Sequence, residues 1–189
     1  MAANEPPYPK IMHGVPGHLS RREANYLYGV SAILGSGKYA ELGTYCGRST
    51  VCIAGGMKDA AVDAHLITVD AYSGLAMTPE VLVPYSQRDP ILVKQRFEDK
   101  GVGEYITQVI GLTNDVVHDF KHTEFNFLFI DAAHSYAECR TDFENWSPLV
   151  KSGGEIAFHD ANLDSVNQVV VETGWERRDI DTMAIVRKP

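Results

Sequence analysis

The sequence lacks the long apolar run that a membrane-spanning helix needs. Such a helix takes about 20 consecutive apolar residues, and no stretch of the 189 residues comes near that length. The start of the chain, with Pro6, Pro7 and Pro9, does not have the basic and then apolar order of a signal peptide. We therefore expect a cytoplasmic protein that does not act in a membrane.

Cysteine is scarce as well. The three cysteines, Cys46, Cys52 and Cys139, are odd in number and form no C-x-x-C pair. A small secreted protein held by disulfides has an even number of cysteines at close spacings. The sequence therefore predicts reduced thiols, which agrees with a cytoplasmic location.

Basic residues are outnumbered by acidic ones. The chain has 17 Lys and Arg against 25 Asp and Glu, a formal net charge of −8. Proteins that bind nucleic acid or an anionic membrane need a positive field. We expect neither partner, and we assign the basic doublets to solvated surface; they are Arg21-Arg22, Arg177-Arg178 and Arg187-Lys188.

The pattern of apolar and turn-forming residues predicts one α/β domain after an irregular arm. Residues 1–19 are rich in proline and glycine, and Ser20 with Glu23 forms a capping box that opens a helix. Strands then alternate with helices, which is typical of an open, doubly wound, mostly parallel sheet of about seven strands, with helices on both faces and an antiparallel C-terminal strand. The predicted strands are 39–42, 65–69, 105–110, 125–130, 155–158, 175–180 and 182–187; the predicted helices are 20–34, 48–57, 91–100, a short one ending near 121, 136–150 and 163–173. The predicted domain is 20–189.

Residues 71–90 interrupt this alternation. They hold Gly74, Pro79, Pro84 and Pro90 among apolar residues. Loops of this length in compact domains are often functional covers over a site. We expect this insertion to be a lid over the upper edge of the sheet.

The most informative stretch is Lys38–Ala54, K-Y-A-E-L-G-T-Y-C-G-R-S-T-V-C-I-A. It predicts a buried strand ending near Leu42, a tight turn containing Gly43 and Gly47, and the first turn of a helix. Such a turn aims backbone N–H groups and the positive end of a helix dipole above the strand. The two glycines would let a ligand approach bare backbone, so we expect a small, polar, partly anionic ligand.

Three nucleotide-binding motifs compete for this turn. The spacing of Gly43 and Gly47 does not fit the dinucleotide motif G-x-G-x-x-G, and Gly37-Lys38 precedes the strand, so it is no phosphate loop. The pattern E-x-G-x-x-x-G resembles motif I of the class I S-adenosylmethionine (SAM)-dependent methyltransferases. The longer run E-L-G-T-Y-C-G-R-S is similar to the loop of the catechol O-methyltransferase type of small-molecule enzyme. A Rossmann-like fold and SAM as cofactor are what the resemblance implies.

Four acids lie at or beside the ends of predicted parallel strands. They are Glu41, Asp70, Asp131 and Asp160, and the carboxyl ends of parallel strands meet at one crevice where ligands bind. Like charges repel unless a cation or ligand hydroxyls offset them. We therefore expect these acids to serve a binding or catalytic site.

The resemblance also implies roles for residues in the cofactor pocket. Asp70 has the place of the acid that binds the ribose hydroxyls of SAM, Thr113 and Asn114 match the adenine-side loop, and Ala71 with Tyr72 would flank the adenine. The implied cofactor-binding residues are Glu41, Gly43, Thr44, Tyr45, Gly47, Ser49, Asp70, Ala71, Thr113, Asn114, Asp131 and Ala132.

A divalent cation is implied in the same way. In metal-dependent O-methyltransferases an acid ends strand four and an Asp-Asn pair ends strand five, and Asp131 and Asp160 match the first two ligands. Oxygen ligands suit Mg²⁺ first, and Mn²⁺ or Ca²⁺ as alternatives. The third ligand departs from the pattern, because Ala161 stands where the asparagine would be. Either His159 or Asn162 could supply the third ligand in place of that asparagine, and we take His159 as the candidate.

The catalytic base is expected to be His134, acting with Asp131. His134 stands where the catechol enzyme type has its catalytic lysine. The run I-D-x-x-H-[ST]-Y, a later G-G and F-H-D resemble a wider group of methyltransferases that act on sugars and natural products. Imidazole is a suitable base near pH 7. The implied activity is methyl transfer to a hydroxyl of a small sugar, polyketide or phenolic molecule.

Two other functions stay open at this point. One is a nicotinamide-dependent oxidoreductase on the same kind of sheet, which the glycine spacing disfavours. The other is a SAM-binding module without catalysis, which would need neither Asp131 nor His134. The acceptor cannot be read from the sequence, and a homo-oligomer is compatible with it.

Overall fold

The computed structural model describes residues 8–73 and 85–189. Within these ranges the chain forms a sheet of seven strands in the order β3-β2-β1-β4-β5-β7-β6. Strands β1 to β5 pair in parallel, and β7 runs antiparallel to both of its neighbours. The predicted doubly wound α/β fold is confirmed. The strands are β1 Gly37–Leu42, β2 Ala64–Asp70, β3 Ile106–Ile110, β4 Phe125–Ile130, β5 Val150–Phe158, β6 Glu176–Ile180 and β7 Met183–Arg187.

The helices follow the sequence pattern closely. They are α1 Arg21–Leu34, α2 Arg48–Ala60, α3 Pro90–Asp99, α4 Thr113–Val116, α5 Tyr136–Trp146 and α6 Asp164–Glu172. The start of α1 is the predicted capping box, in which the Ser20 hydroxyl accepts from the Glu23 N–H and the Glu23 carboxylate accepts from the Ser20 N–H. Short 3₁₀ turns cover Lys10–Met12, Tyr85–Gln87, Gly103–Tyr105, Val117–Phe120 and Ser147–Leu149.

The sheet is covered on both faces. Every residue of β4 is buried, as expected for a central parallel strand. Phe127 and Phe129 pack with α1, α2 and α3 on one face. Leu128 and Ile130 pack with α5 and α6 on the other. Because β1 and β4 are neighbours while β2 and β3 lie outward from β1, the strand order reverses between β1 and β4, which is where open α/β sheets bind ligands.

The N-terminal arm contributes to the core. From Tyr8 onward it forms one 3₁₀ turn and then continues without regular structure to α1. Its side chains Met12, Val15 and Leu19 are buried against α1 and α2. The expected irregular arm is therefore also a packed segment. Residues 1–7 lie outside the described residues.

Three boundaries differ from the prediction. Helix α5 ends at Trp146 because Pro148 has no N–H to donate to a carbonyl of the preceding turn, and the chain continues as the 3₁₀ turn Ser147–Leu149. The expected turn at residues 151–154 belongs to β5, whose pairing shifts register opposite Phe125 and Phe127. The helix after β3 is α-helical only to Val116 and then becomes 3₁₀. Most of the expected lid, residues 74–84, lies outside the described residues.

No helix in the described ranges is long and apolar enough to cross a bilayer.

Candidate active site

The glycine turn connects β1 to α2 as the sequence predicted. Gly43 and Gly47 have φ angles of 97° and 82°, in the region that favours glycine. The N–H of Gly47 donates to the Thr44 carbonyl at 2.7 Å, and the N–H of Gly43 donates to the Val69 carbonyl at 2.8 Å. The turn is therefore tied both to itself and to β2.

The structure gives these glycines a reason that the sequence did not reveal. A Cβ at Gly43 would lie 2.4 Å from the carbonyl oxygen of Asp131, and one at Gly47 would lie 2.6 Å from the Phe97 ring. Both glycines thus make room for other parts of the protein. At Gly43 this lets the end of β1 approach the end of β4, where the acids lie.

Glu41 lies beneath the turn and has no exposed surface. Its Oε2 accepts hydrogen bonds from the hydroxyls of Thr50 at 2.5 Å and Thr68 at 2.6 Å. Thr68 also contacts the Thr44 hydroxyl at 2.6 Å. Burial raises the pKa of Glu41 to about 7, and the hydroxyl donors oppose that rise. Glu41 therefore holds β1, β2 and the start of α2 together from below.

Asp70, at the end of β2, is held in one orientation by two backbone donors. The N–H of Tyr45 donates to its Oδ2 and the N–H of Tyr72 to its Oδ1, both at 2.7 Å. Both tyrosines have left-handed backbone, with φ of 51° and 50°, which is uncommon for residues other than glycine. A carboxylate has about four lone-pair sites, so Asp70 retains capacity for ligand hydroxyls.

The residues after Asp70 divide between core and pocket. The ring of Tyr72 is buried and its hydroxyl accepts from Gln108 Nε2 at 2.7 Å. This places Tyr72 in the core on the α2 side, which favours packing over the adenine-flanking role. Ala71 is half-buried.

The loop after β3 adjoins Asp70, because the Gly111 N–H donates to the Asp70 carbonyl at 3.0 Å. The side chains of Thr113 and Asn114 contact α5: Thr113 donates its hydroxyl proton to Asp142, and Asn114 accepts from Asn145. The predicted adenine loop is therefore next to the predicted ribose acid and braced from behind.

The sheet brings two acids and two histidines together at the ends of β4 and β5. The backbone ladder continues to them, since the Asp131 N–H donates to Leu42 and the His159 N–H donates to Ile130. His134 Nε2 lies 3.1 Å from Asp160 Oδ2 and 3.7 Å from Asp131 Oδ1. His159 Nδ1 lies 3.1 Å from Asp131 Oδ1 and 3.4 Å from Asp160 Oδ2.

Each member of this cluster changes the titration of the others. Hydrogen bonds to Asp131 and Asp160 raise the pKa of His134 to about 9. Burial would lower the pKa of His159, but Asp131, Asp160 and Glu23 outweigh it and raise that pKa. The pKa of Asp131 falls although burial opposes this, and that of Asp160 falls through both histidines. At neutral pH both imidazoles therefore carry a proton, and their charges partly offset those of the carboxylates of Asp131, Asp160 and Glu23.

Glu23 is a member of this site that the sequence did not indicate. It is 1% exposed, and its Oε1 accepts from the N–H and hydroxyl of Thr182 at 2.9 and 2.7 Å. Its Oε2 lies 3.6 Å from His159 Nε2. Burial opposes ionisation, but His159 and the other donors lower the pKa of Glu23 to about 2. The capping box with Ser20 already explained this residue, so no sequence signal connected it to the site.

One group of described residues has the geometry to hold a metal ion. Ligand atoms of Asp131, His134 and Asp160 lie within 4.8 Å of one another. His159, the ligand expected from the sequence, stands beside this group and faces the same two carboxylates. Ala161 is buried and Asn162 is exposed. Two carboxylates and an imidazole make a donor set that fits a divalent cation.

Comparison with protein families identifies the segment that carries the site. A family model described as a methyltransferase domain matches residues 40–161. The matched segment begins within β1 and ends immediately after Asp160. It therefore includes the glycine turn, Asp70, the adenine-side loop and the cluster of acids and histidines.

Comparison with solved structures gives many similar folds. One similar structure is that of a protein from Klebsiella pneumoniae described as a putative O-methyltransferase. It is 14% identical, with a TM-score of 0.70 over 97% of this chain and 92% of that one. An O-methyltransferase from Bacillus cereus in complex with SAH is 17% identical, with a TM-score of 0.67 over 96% and 92%. The O-methyltransferase TomG from Streptomyces achromogenes, involved in tomaymycin synthesis and in complex with SAM, is 14% identical, with a TM-score of 0.65 over 91% and 80%. At these identities the likeness establishes the fold.

Proposed function

Because this chain belongs to the methyltransferase-domain family, we propose that it transfers a methyl group from SAM to a hydroxyl group of a small molecule. The family match over residues 40–161 carries this proposal, since it spans every strand end that contributes to the site. The structural neighbours support the choice of oxygen as acceptor, because several are O-methyltransferases, and those from Streptomyces achromogenes and Bacillus cereus contain SAM and SAH respectively.

The cofactor lies, in this proposal, across the ends of β1, β2 and β3. The turn at residues 43–47 holds the methionine part, Asp70 accepts from the ribose hydroxyls, and the loop at Thr113 and Asn114 contacts the adenine. The fixed carboxylate of Asp70 supports the ribose assignment. Glu41 acts through the turn, because it has no surface for direct contact.

His134 removes the proton of the acceptor hydroxyl. It is partly exposed at the ends of the strands, and its backbone carbonyl accepts from the Ser165 hydroxyl at 2.6 Å, which ties the end of the β4–α5 loop to α6. With its pKa near 9 the imidazole is protonated at pH 7, so it becomes a base only once another group relieves its pairing with the two carboxylates. The transfer is an in-line displacement at a sulfonium, so the protein contributes largely by positioning the reactants.

Asp131 and Asp160 are the residues that would hold a divalent cation, and with their charge compensated in that way they would no longer stabilise the proton on His134. The third donor would be His159 or His134. An imidazole nitrogen cannot bind a cation and accept a proton in one step, so we assign the third donor to His159, whose Nδ1 faces both carboxylates and would release its proton to solvent when a cation binds. When bound, the cation lowers the pKa of a hydroxyl that it contacts. Exhaustive chelation with EDTA should then abolish turnover and leave SAH binding intact. Full turnover after chelation would exclude the cation.

The cofactor class is tested by comparing melting temperatures in the presence of SAH and of NAD. A ligand that binds only the folded protein at 100 times its dissociation constant stabilises it by about 2.7 kcal/mol, so SAH should raise the melting temperature by several degrees and NAD should not. The reverse result would favour the oxidoreductase alternative.

A further inference from the structure

Helix α5 contacts the predicted adenine loop through three side chains. The Thr113 hydroxyl donates to Asp142 Oδ1 at 2.5 Å, and the indole Nε1 of Trp146 donates to the Thr113 carbonyl at 3.2 Å. The amide of Asn145 donates to Asn114 Oδ1 at 2.9 Å. Both loop residues are thus held by consecutive turns of one helix.

The burial of Asp142 costs free energy of folding. It is 2% exposed, and burial raises its pKa to about 6. Taking a carboxyl group out of water costs free energy that one hydrogen bond does not fully restore. Overall stability therefore does not explain an acid here. Buried polar groups of this kind can instead fix one conformation of the segment they bind.

The helix is the rigid partner in this contact. Trp146 is fully buried and packs against the rings of Phe120 and Phe125, with centroids 5.6 and 6.1 Å away. On the outer face Arg140 pairs with Glu172 of α6 at 2.7 Å. Thr113 and Asn114, by contrast, are the first two residues of α4, a helix of only four residues whose N-cap, Leu112, provides no side-chain hydrogen bond. The side-chain contacts that hold these two residues therefore come from α5.

The same helix begins beside the proposed base. Ser135, the residue after His134, caps α5 by accepting from the Glu138 N–H at 3.3 Å. Asp142 lies two turns further along. Helix α5 thus fixes the distance between the reacting end of the site and the loop at its far end.

We propose that Asp142 is a positioning residue for the adenine ring of the cofactor, acting through the hydrogen bond from Thr113. It does not touch the cofactor. It holds Thr113 and Asn114, at the start of α4, in the position from which they can recognise the amino group of the base. The inference rests on the proposed function and adds to it a determinant of base selectivity that lies outside the pocket.

The test uses calorimetry with SAH and with S-inosylhomocysteine, which has a carbonyl in place of the adenine amino group. Asp142→Ala should weaken SAH binding about tenfold, the scale of one lost hydrogen bond, and should weaken S-inosylhomocysteine binding less. Asp142→Asn, which retains an acceptor oxygen, should restore SAH binding to within about threefold of the unsubstituted protein.

Two further variants separate positioning from general destabilisation. Thr113→Val removes the same hydrogen bond from the loop side, so it should reproduce the loss, and the double variant with Asp142→Ala should be no weaker than either single one. Thr113→Val also tests the proposal if the Asp142→Ala variant does not fold. Glu144→Gln, on the exposed side of α5, is the matched control and should bind SAH normally.

Normal SAH binding by Asp142→Ala or Thr113→Val would overturn the inference, and so would an equal loss for both ligands or no rescue by Asp142→Asn. If the unsubstituted protein binds SAH and only these variants contradict the expectation, the proposed function stands without this residue. Absence of SAH binding by the unsubstituted protein would overturn both.

Discussion

His134 is partly exposed and pairs with two carboxylates, and these carboxylates determine its protonation state. Asp131 and Asp160 hold the imidazole ring in place and raise its pKa to about 9. The sequence suggested a base that needs little tuning near pH 7. In the structure, the two carboxylates stabilise the protonated form of His134. A cation or other group that binds Asp131 and Asp160 would weaken this stabilisation and lower the pKa of His134.

Replacing this side chain tests its role. His134→Ala should bind SAH within about threefold of the unsubstituted protein, because the ring pairs with Asp131 and Asp160 and the proposed cofactor contacts are made by other residues. Methyl transfer should fall by about 10²–10⁴-fold, the usual contribution of a general base. The control is His118→Ala, an exposed histidine on the turn after α4, which should retain activity. Unchanged turnover by His134→Ala would remove it from the mechanism.

Asp142 gives a pH dependence with a definite sign. Because burial raises its pKa to about 6, the folded protein holds this proton in a range where the unfolded chain has released it. Stability from this residue is therefore greatest below the unfolded pKa, near pH 4, and is lost as the pH rises through 6. Asp142→Asn should remove that loss, so the free energy of unfolding of the variant relative to the unsubstituted protein should rise by about 2–3 kcal/mol over this interval. Denaturant titrations at pH 4, 5, 6 and 7 measure it; a flat difference would contradict the assignment.

Single residues also mark the limit of sequence reasoning. The positions of Asp70, Asp131, His134 and Asp160 at the carboxyl edge of the sheet could be predicted, because each lies at or shortly after the end of an apolar strand. The orientation of His159 could not, since it depends on Glu23, which lies 136 positions earlier in α1. The support that Thr68 gives to Glu41 was equally hidden. Contacts between distant segments leave no local pattern.

At the scale of elements, the β1–α2 turn is the part that the sequence predicted in most detail. Its strand, turn and helix lie where the pattern placed them. The physical reason for its glycines was different, because the space they leave is filled by Asp131 and Phe97. A glycine pattern indicates that something approaches closely, and only the structure identifies it.

Gly43→Ala tests this account against a matched control. Gly43 and Gly153 both have positive φ, 97° and 76°, but a Cβ at Gly153 has no neighbour within 4 Å among the described atoms. Gly153→Ala should therefore cost about 1 kcal/mol for its backbone alone. Gly43→Ala should cost about 3 kcal/mol or more, because the end of β4 must also move, and should weaken SAH binding. Equal free energies of unfolding for the two variants would contradict the close approach of β1 and β4.

At the scale of the whole molecule, the order of strands is what assembles the site. The fold class and most of the strands were predictable, because apolar runs ending in polar residues are local features. The exception is β6, whose residues are mostly charged and exposed and which was predicted as the antiparallel partner of the last strand. The reversal of order between β1 and β4 places the turn beside Asp131 and Asp160. The C-terminal hairpin also takes part, since Thr182 binds Glu23 behind His159. That last connection joins three distant parts of the chain and could not be read from any one of them.

The most direct test of the account is calorimetric titration of SAH into the purified protein and into Asp70→Ala. The account predicts one binding site in the unsubstituted protein and a loss of at least about tenfold in affinity in the variant, because the ribose hydroxyls would lose a charged acceptor. No heat with SAH or SAM in folded protein, together with clear binding of NAD or another nucleotide, would contradict it.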